Sequence, residues 1–240
     1  MLLGLLAPAW GQSSDNKSVI GLQVSLQDSI SRLNRSLVGI VAIGSGGPMI
    51  VGTGFIIADD GTFVTAAHVL RQPPGLQIRA LIRLGAAGQK AAEFEKLGDD
   101  AERDIAICRI VAEHGMRPPM VPLPLADSSR SAAGTLVVSS GFPLASERPS
   151  SHLGIVSTDS AGDQYVEIAV MVNEGESGAP VMRLDDGKVI GMVSSVRIAS
   201  TYAGAGHGAE DQNAGLALAA PAEWVTSLLH KAIPQAPGPR

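Results

Sequence analysis

The sequence is poor in aromatic and charged residues. Only 3% of its 240 residues are Phe, Trp or Tyr, 17% are charged, and the formal net charge is −5. Proteins that bind nucleic acid usually carry a basic face, and those that bind single strands stack bases on aromatic rings. Because the sequence has neither a basic stripe nor many aromatic residues, it predicts no nucleic-acid partner.

Cysteine and long apolar runs are also scarce. Cys108 is the sole cysteine, so no internal disulfide can form, and its apolar surroundings predict a small buried core residue. Beyond the N-terminus no apolar run approaches the ~18 residues that span a bilayer, so no membrane span is expected. The His, Asp and Glu residues lack the spacing of metal ligands, and no metal or other cofactor is implied.

The first sixteen residues resemble the end of a signal peptide. Met1–Leu6 is mostly apolar, and small residues follow at Ala9 and Gly11. No basic segment precedes the apolar run, so the other interpretation is a disordered apolar leader. An exported protein without disulfides is compatible with a bacterial periplasm.

Glycine and proline, with 28 and 15 residues, are plentiful and suit short strands joined by turns. Loose helical spacing over Leu22–Leu37 predicts a helix, and a second helix is expected after Pro221. Strands are expected near Val38–Ile43, Gly52–Ala58, Leu76–Leu84, Thr135–Ser140, His152–Thr158, Tyr165–Val172, Val181–Leu184, Lys188–Val196 and Gly215–Ala219.

Three short motifs supply a histidine, an aspartate and a serine in that order. His68 ends Thr65-Ala-Ala-His, Asp104 opens Asp-Ile-Ala-Ile, and Ser177 stands between Gly175 and Gly178. A serine hydroxyl needs an imidazole to take its proton, and the imidazole needs a buried acceptor that fixes its tautomer. The backbone N–H groups of Gly175 and Ser177 can converge on a developing oxyanion. The set predicts peptide hydrolysis.

Each candidate also has a plainer interpretation. His68 follows an apolar strand and could be a core histidine, and Ser177 could be an ordinary turn serine. Asp104 competes with Asp99 and Asp100, which stand in a charged run typical of a solvated loop. The remaining histidines are expected to face solvent; they are His114, His152, His207 and His230.

These motifs resemble those of the trypsin-like (chymotrypsin-fold) serine peptidases, and within them the bacterial Deg/Htr type. The resemblance covers roughly residues 36–231 and rests on six segments in the family's order: Gly52–Ile57, Gly61–Val69, Asp104–Ile107, Gly154–Ser157, Gly187–Gly191 and Gly215–Leu218. It implies an all-β fold of two packed six-stranded antiparallel β-barrels with a C-terminal helix. We expect a protease domain without the peptide-binding module often appended in this family, and a periplasmic or secreted location.

The domain organisation expected from the resemblance has four parts. Residues 1–16 form the leader, and 17–125 contain an N-terminal segment and the first barrel with His68 and Asp104. Residues 126–232 contain the second barrel with Ser177 and the terminal helix, and 233–240 form a disordered tail.

The function implied by the resemblance is serine endopeptidase, with a polypeptide as substrate and an acyl-enzyme intermediate. Ser177 attacks, His68 acts as base and then acid, Asp104 orients His68, and the N–H groups of Gly175 and Ser177 hold the oxyanion. The sequence leaves open whether the domain forms homo-oligomers.

The same resemblance places Met171, six residues before the nucleophile, at the base of the primary specificity pocket. The expected walls are Ser194, Ser195 and Val196 on one strand and Leu218 on the next. None of these residues carries a carboxylate, so we expect cleavage after apolar residues. If Arg197 reached into the pocket, acidic residues would be accepted instead.

Two residues depart from the family pattern. Glu176 stands where Deg/Htr proteins usually have Asn and activated trypsins have Asp, and we expect it to pair elsewhere or to face solvent. Ala179 replaces a glycine, which requires a negative φ there.

Two functions are alternatives to a serine endopeptidase of this family. A nucleophile elbow of an α/β-hydrolase would need Gly at position 179 and βα units before the serine, and both are missing. A catalytically weak or inactive domain that binds peptides is the remaining alternative. The presence of His68, Asp104 and Ser177 together argues against it.

Overall fold

Antiparallel β-strands dominate the computed structural model, which describes residues 12–83, 88–111, 120–159, 164–201 and 210–233. The strands are β1 Leu37–Gly44, β2 Gly47–Ile56, β3 Thr62–Ala66, β4 Gln77–Arg83, β5 Gln89–Ala92, β6 Phe94–Asp100, β7 Ile105–Ile110, β8 Leu136–Gly141, β9 Ser150–Val156, β10 Val166–Ala169, β11 Pro180–Arg183, β12 Val189–Thr201 and β13 Glu210–Pro221. Two helices flank them, α1 Gln12–Ser36 and α2 Ala222–Ala232. The expected all-β, chymotrypsin-like fold with a C-terminal helix is confirmed.

The first sheet has seven strands in the order β5-β4-β1-β2-β3-β7-β6. Its two edge strands, β5 and β6, are consecutive in the chain and are separated only by Glu93. One bent segment therefore pairs with β4 at one edge and with β7 at the other. Counted as one strand, this segment gives the six strands that were expected.

The second sheet is a closed antiparallel barrel of six strands in the order β10-β13-β12-β11-β8-β9. Closure leaves no free edge, and side chains alternate between the interior and the surface. The interior is filled mainly by small and β-branched residues, including Val137, Val156, Val181 and Ile190. Such residues suit the narrow inside of a small barrel.

A separate hydrophobic cluster joins the two sheets. Phe55, Phe63 and Ile107 of the first sheet belong to the same buried cluster as Val138 and Met192 of the second. The two sheets thus share one core, and the loops at their junction are held by packing from both sides.

The segment between the sheets runs in extended form over the junction. The N–H of Leu123 donates to Ile56 O (2.9 Å) on the first sheet. The N–H of Ala126 donates to Val189 O (2.8 Å) on the second. Pro118 and Pro119, which precede this segment in the chain, lie outside the described residues.

Helix α1 begins and ends differently from the expectation, whereas α2 begins directly after Pro221 as expected. Helix α1 starts at Gln12, so residues 12–16 of the expected leader are helical, and Leu37 already belongs to β1. Residues 1–11 and 234–240, expected as leader and tail, lie outside the described residues. Within the described ranges, neither helix is both long and apolar enough to cross a membrane.

Helix α2 follows the second barrel but returns to the first sheet. A Cβ at Gly98 on β6 would lie 3.1 Å from the Cβ of Ala232, so this glycine allows close packing. The rings of Trp224 and Tyr165 pack edge to face with their centroids 5.2 Å apart. The Arg103 guanidinium lies 5.0 Å from the centroid of the Trp224 ring.

Candidate active site

His68 lies in a 3₁₀ turn, Ala67–Leu70, directly after β3. Asp104 lies directly before β7, and the pairing of β3 with β7 places Ala66 opposite Ile105. The N–H of Ala67 donates to the carbonyl oxygen of Asp104 at 3.0 Å, which extends the ladder by one step. Two motifs that are 36 residues apart in sequence are therefore adjacent because their strands are paired.

The Asp104 carboxylate accepts three hydrogen bonds. Its Oδ1 accepts the backbone N–H of His68 at 2.8 Å, and its Oδ2 lies 2.7 Å from His68 Nδ1. The hydroxyl of Ser194 donates to the same Oδ2 at 2.7 Å. Asp104 has a φ of 56°, a left-handed conformation that Asp tolerates better than most residues.

These hydrogen bonds keep Asp104 ionised. Burial alone would raise its pKa, but the bonds from the His68 imidazole, the Ser194 hydroxyl and the His68 backbone outweigh burial and hold the pKa below its ordinary value. An ionised carboxylate only accepts hydrogen bonds, so Nδ1 of His68 must carry the proton. This assignment leaves Nε2 as the nitrogen that can accept a proton.

Ser177 lies in a sharp turn between β10 and β11 that requires two glycines. Gly175 and Gly178 have φ values of 91° and 90°. A Cβ at Gly178 would lie 1.9 Å from the carbonyl oxygen of Thr53, and one at Gly175 would lie 2.3 Å from that of Phe142. Both positions exclude a side chain for conformational and for steric reasons. Ala179 does not have a positive φ. This meets the condition for an alanine at a position where the family usually has glycine.

Two backbone N–H groups of this turn point to no acceptor among the described residues. The neighbouring amides are occupied: Glu176 N–H donates to Asn173 O (3.1 Å) and Gly178 N–H to Val193 O (2.7 Å). The amides of Gly175 and Ser177, by contrast, donate to no protein group in this part of the chain. Two such amides beside a serine hydroxyl form the arrangement that can donate to an oxyanion.

Thr53 of β2 holds this turn against the first sheet. Its hydroxyl donates to Gly175 O at 2.7 Å and accepts the N–H of Phe142 at 3.0 Å. Its own carbonyl oxygen accepts the hydroxyl of Thr65 at 2.6 Å. Thr53 was not predicted as a site residue. The available signal was a polar residue between Gly52 and Gly54 in an apolar strand.

His68 and Ser177 line one open pocket at the junction of the two sheets. The other lining residues are Met49, Ile50, Val51, Leu144, Ala145, Glu174 and Gly175. Among the hydrogen bonds of the described residues, none joins the Ser177 hydroxyl to His68. Such bonds are often long without substrate and tighten in the complex.

The expected specificity residues occupy several different environments. Ser194 is buried and its hydroxyl is bound to Asp104, so it supports the histidine–aspartate pair. Ser195 is exposed, and Val196 and Leu218 are half-buried on the paired strands β12 and β13. Met171 is 68% exposed, more than the floor of a closed pocket would be. The proposed pocket therefore stays a prediction.

The prediction that His152 faces solvent is wrong. This histidine lies in β9, its side chain is 22% exposed, and its Nε2 lies 2.9 Å from Oε1 of Glu176. The pattern around His152 gives no sign of this contact, because its partner is 24 residues away. His230 is exposed as expected, whereas His114 and His207 lie outside the described residues.

Comparison with known proteins agrees with this geometry. The family model of the trypsin-like peptidase domain matches residues 52–192. Human serine protease HTRA4 is 32% identical over 63% of this chain and 31% of its own length. Bovine mitochondrial serine protease HTRA2 is 28% identical over 77% of the chain and 36% of its own length.

A bacterial relative matches a comparable share of the chain. A probable periplasmic DegP-like serine endoprotease of Rickettsia conorii is 26% identical over 76% of the chain and 36% of its own length. The chain thus spans about a third of the length of the relatives it matches. The family match, the fold and the resemblance to these proteins agree: the chain belongs to the trypsin-like peptidase domain family and is of the Deg/Htr type.

Proposed function

We propose that the chain is a serine endopeptidase that cleaves polypeptides through a His68–Asp104–Ser177 triad and an acyl-enzyme intermediate. The observation that carries this proposal is the Asp104–Nδ1 contact of 2.7 Å on a histidine that shares its pocket with Ser177. This contact directs the basic nitrogen of His68 away from Asp104, as a general base requires.

In the first half of the reaction, Ser177 Oγ bonds to the scissile carbonyl carbon as its proton passes to His68 Nε2. The carbonyl oxygen becomes an oxyanion, and the N–H groups of Gly175 and Ser177 donate to it. When the intermediate collapses, the C–N bond breaks and His68 gives its proton to the leaving amine. Asp104 stabilises the imidazolium meanwhile.

In the second half, water replaces the amine. His68 takes a proton from the water, whose oxygen bonds to the acyl carbon. Collapse of the second tetrahedral intermediate breaks the bond to Ser177 Oγ and returns the proton to the serine. The product is a peptide with a free carboxyl group, and the residues return to their starting state.

A fluorophosphonate probe tests the proposal, because it labels only activated serines. We expect labelling of Ser177 and hydrolysis of casein by the purified chain. Ser177→Ala should abolish both, with a loss of kcat on the order of 10⁴–10⁶. The matched control is Ser227→Ala on the exposed side of α2, which should keep both. Hydrolysis that persists in Ser177→Ala would overturn the assignment.

We also propose that the protein acts in the periplasm or outside the cell. The apolar leader and the resemblance to the Rickettsia protein, described as probably periplasmic, support this location. Cell fractionation of a bacterium that expresses the chain from its natural start should recover it with periplasmic markers. Recovery with cytoplasmic markers would overturn the location.

A further inference from the structure

A buried carboxylate lies inside the turn that carries the nucleophile. The side chain of Glu176 is 1% exposed, and its backbone lies between Gly175 and Ser177. The missing Cβ of Gly141 makes room for it, since a Cβ there would lie 3.2 Å from Glu176 Cγ. A carboxylate in such a place must be paired, because burial of an isolated charge is very costly.

Glu176 has one partner within its own turn. Its Oε2 accepts the N–H of Asn173 at 2.7 Å, while its own N–H donates to Asn173 O at 3.1 Å. These reciprocal bonds close residues 173–176 into a small ring. They fix the shape of the turn but do not attach it to the rest of the barrel.

The second partner attaches the turn to a strand. His152 Nε2 lies 2.9 Å from Glu176 Oε1, and His152 stands opposite Ser139 in the ladder of β8 and β9. Because the carboxylate accepts, Nε2 is the donor. The strand is part of the closed barrel and thus a rigid anchor for the carboxylate.

We propose that His152 is a positioning residue that holds the oxyanion-binding turn through Glu176, which extends the peptidase function proposed above and rests on it. The N–H of Ser177 belongs to the peptide that directly follows the Glu176 Cα, and the N–H of Gly175 belongs to a peptide inside the ring of residues 173–176 that Glu176 closes. A shift of the Glu176 side chain is therefore transmitted directly to the Ser177 donor and, through this ring, to the Gly175 donor. Without His152, one oxygen of a buried carboxylate would be unpaired, and the turn would rearrange to solvate it.

The consequence should fall on the transition state. Oxyanion donors act on charge that develops during the reaction, so their displacement lowers kcat more than it raises KM. Loss of one such donor costs about 10²–10³ in kcat. Since His152 acts through another residue, we expect a loss of about 10- to 100-fold.

Three variants separate this role from a general effect on folding. His152→Leu removes the donor at similar volume. His152→Gln keeps an N–H donor and should stay within about threefold of the unmutated protein. In the double variant His152→Leu/Glu176→Gln, no charge is buried and the Asn173 bond is retained, but the link to β9 is lost.

The measurements are kcat and KM on a peptide substrate and the affinity for a peptide boronate that mimics the tetrahedral intermediate. For His152→Leu and for the double variant we expect a lower kcat, a KM within about twofold, and boronate affinity that falls in parallel with kcat/KM. If either variant folds, as judged by its melting curve, and retains the unmutated kcat, the proposal is overturned. If His152→Leu does not fold, the double variant decides.

The same set distinguishes failure of this proposal from failure of the peptidase function. If the unmutated protein neither hydrolyses peptides nor reacts with the fluorophosphonate, the peptidase function is wrong and the role of His152 falls with it. If the unmutated protein is active and His152→Gln loses as much kcat as His152→Leu, hydrogen bonding to Glu176 is not the cause. That result would overturn the positioning role alone.

Discussion

The backbone N–H of Thr53 donates to the carbonyl oxygen of Ser177 at 2.9 Å, so a strand of the first sheet directly holds the proposed nucleophile of the second barrel. The Thr53 hydroxyl adds the bond to Gly175 described above. His68 follows a strand of the first sheet and Ser177 lies between strands of the second, and both line one pocket, so the geometry of the proposed site depends on such bonds across the junction. Thr53 forms such bonds with both its backbone N–H and its side-chain hydroxyl.

Thr53→Val should destabilise the protein and lower its activity. The valine keeps the shape but leaves Phe142 N–H and Gly175 O unpaired, at a cost of about 1–3 kcal/mol for each buried group. Thr62→Val is the matched control, because the buried Thr62 hydroxyl has no hydrogen-bond partner among the described residues. Urea denaturation should show a lower free energy of unfolding only for Thr53→Val. Equal losses would contradict the bridging role of Thr53.

Gly178→Ala should be far more harmful than a similar change elsewhere. Both Gly178 and Gly75 have positive φ, but a Cβ at Gly178 meets Thr53 O at 1.9 Å whereas one at Gly75 meets nothing within 4 Å. Gly75→Ala should therefore cost only the conformational term, about 1–2 kcal/mol. Gly178→Ala must in addition push the turn away from β2, so we expect loss of hydrolysis. Retained activity with a comparable melting temperature would contradict the described contact.

The depressed pKa of Asp104 predicts a pH-dependent contribution to stability. A carboxyl whose pKa is lower in the folded state stabilises the fold above its ordinary pKa, 3.8, and loses this contribution as pH falls through the folded-state value. The stability difference between the unmutated protein and Asp104→Asn should be largest near pH 6 and should shrink below about pH 4.

Denaturant titrations at pH 6 and pH 3 would measure this difference. Asp127→Asn is the control, since the Asp127 carboxylate is 98% exposed and its ion pair with Lys188 should contribute little at either pH. A difference for Asp104→Asn that does not change with pH would show that its hydrogen bonds do not favour the charged form.

Cys108 should not react with thiol reagents in the folded protein. Burial raises the pKa of this thiol to about 12, which outweighs the opposing effect of Lys96. Only the thiolate reacts, so iodoacetamide at pH 8 should modify Cys108 in guanidinium chloride but not in buffer. Rapid modification of the folded protein would contradict the burial of β7. The expectation of a buried core cysteine is confirmed by the structure.

The strands that carry the motifs were predictable from sequence, and the bent edge segment was not. Apolar runs such as Val38–Ile43 lie in β1 because strands buried on both faces contain few polar residues. By contrast, β6 is mostly polar, and its residues Asp99 and Asp100 belong to a charged run that is typical of a solvated loop. Its position is fixed by hairpin pairing with β7, and its exposed or half-buried, mostly charged residues give no apolar alternation that would indicate a strand.

The residues of the candidate site also divide into those that the sequence predicts and those that it does not. His68, Asp104 and Ser177 follow short motifs whose local backbone determines what they can do. Thr53 and His152 form hydrogen bonds with loop residues that are far from them in sequence, namely Phe142, Gly175 and Glu176. Their roles depend on which strands become neighbours, so they could be identified only once the fold was known.

Specificity is the last prediction, and it rests on residues whose role is still a hypothesis. Met171, Val196 and Leu218 carry no charge, so an entering Lys or Arg side chain would lack a counter-ion, whereas apolar side chains would be accepted. Methionine is flexible and polarizable, which suits several small or medium side chains. We therefore expect cleavage after Val, Ala, Ile or Leu. The side chain of Arg197 lies outside the described set.

Mass spectrometry of products from a mixed peptide library would measure the preference, and Met171→Asp tests the floor of the pocket directly. If Met171 lies there, the new carboxylate should shift cleavage toward Lys and Arg. Leu153→Asp, which alters an exposed apolar residue on β9, should not. A Lys or Arg preference in the unmutated protein would contradict the apolar pocket and point to Glu167, which stands opposite Leu218 between β10 and β13. A preference for Asp or Glu would point to Arg197 instead.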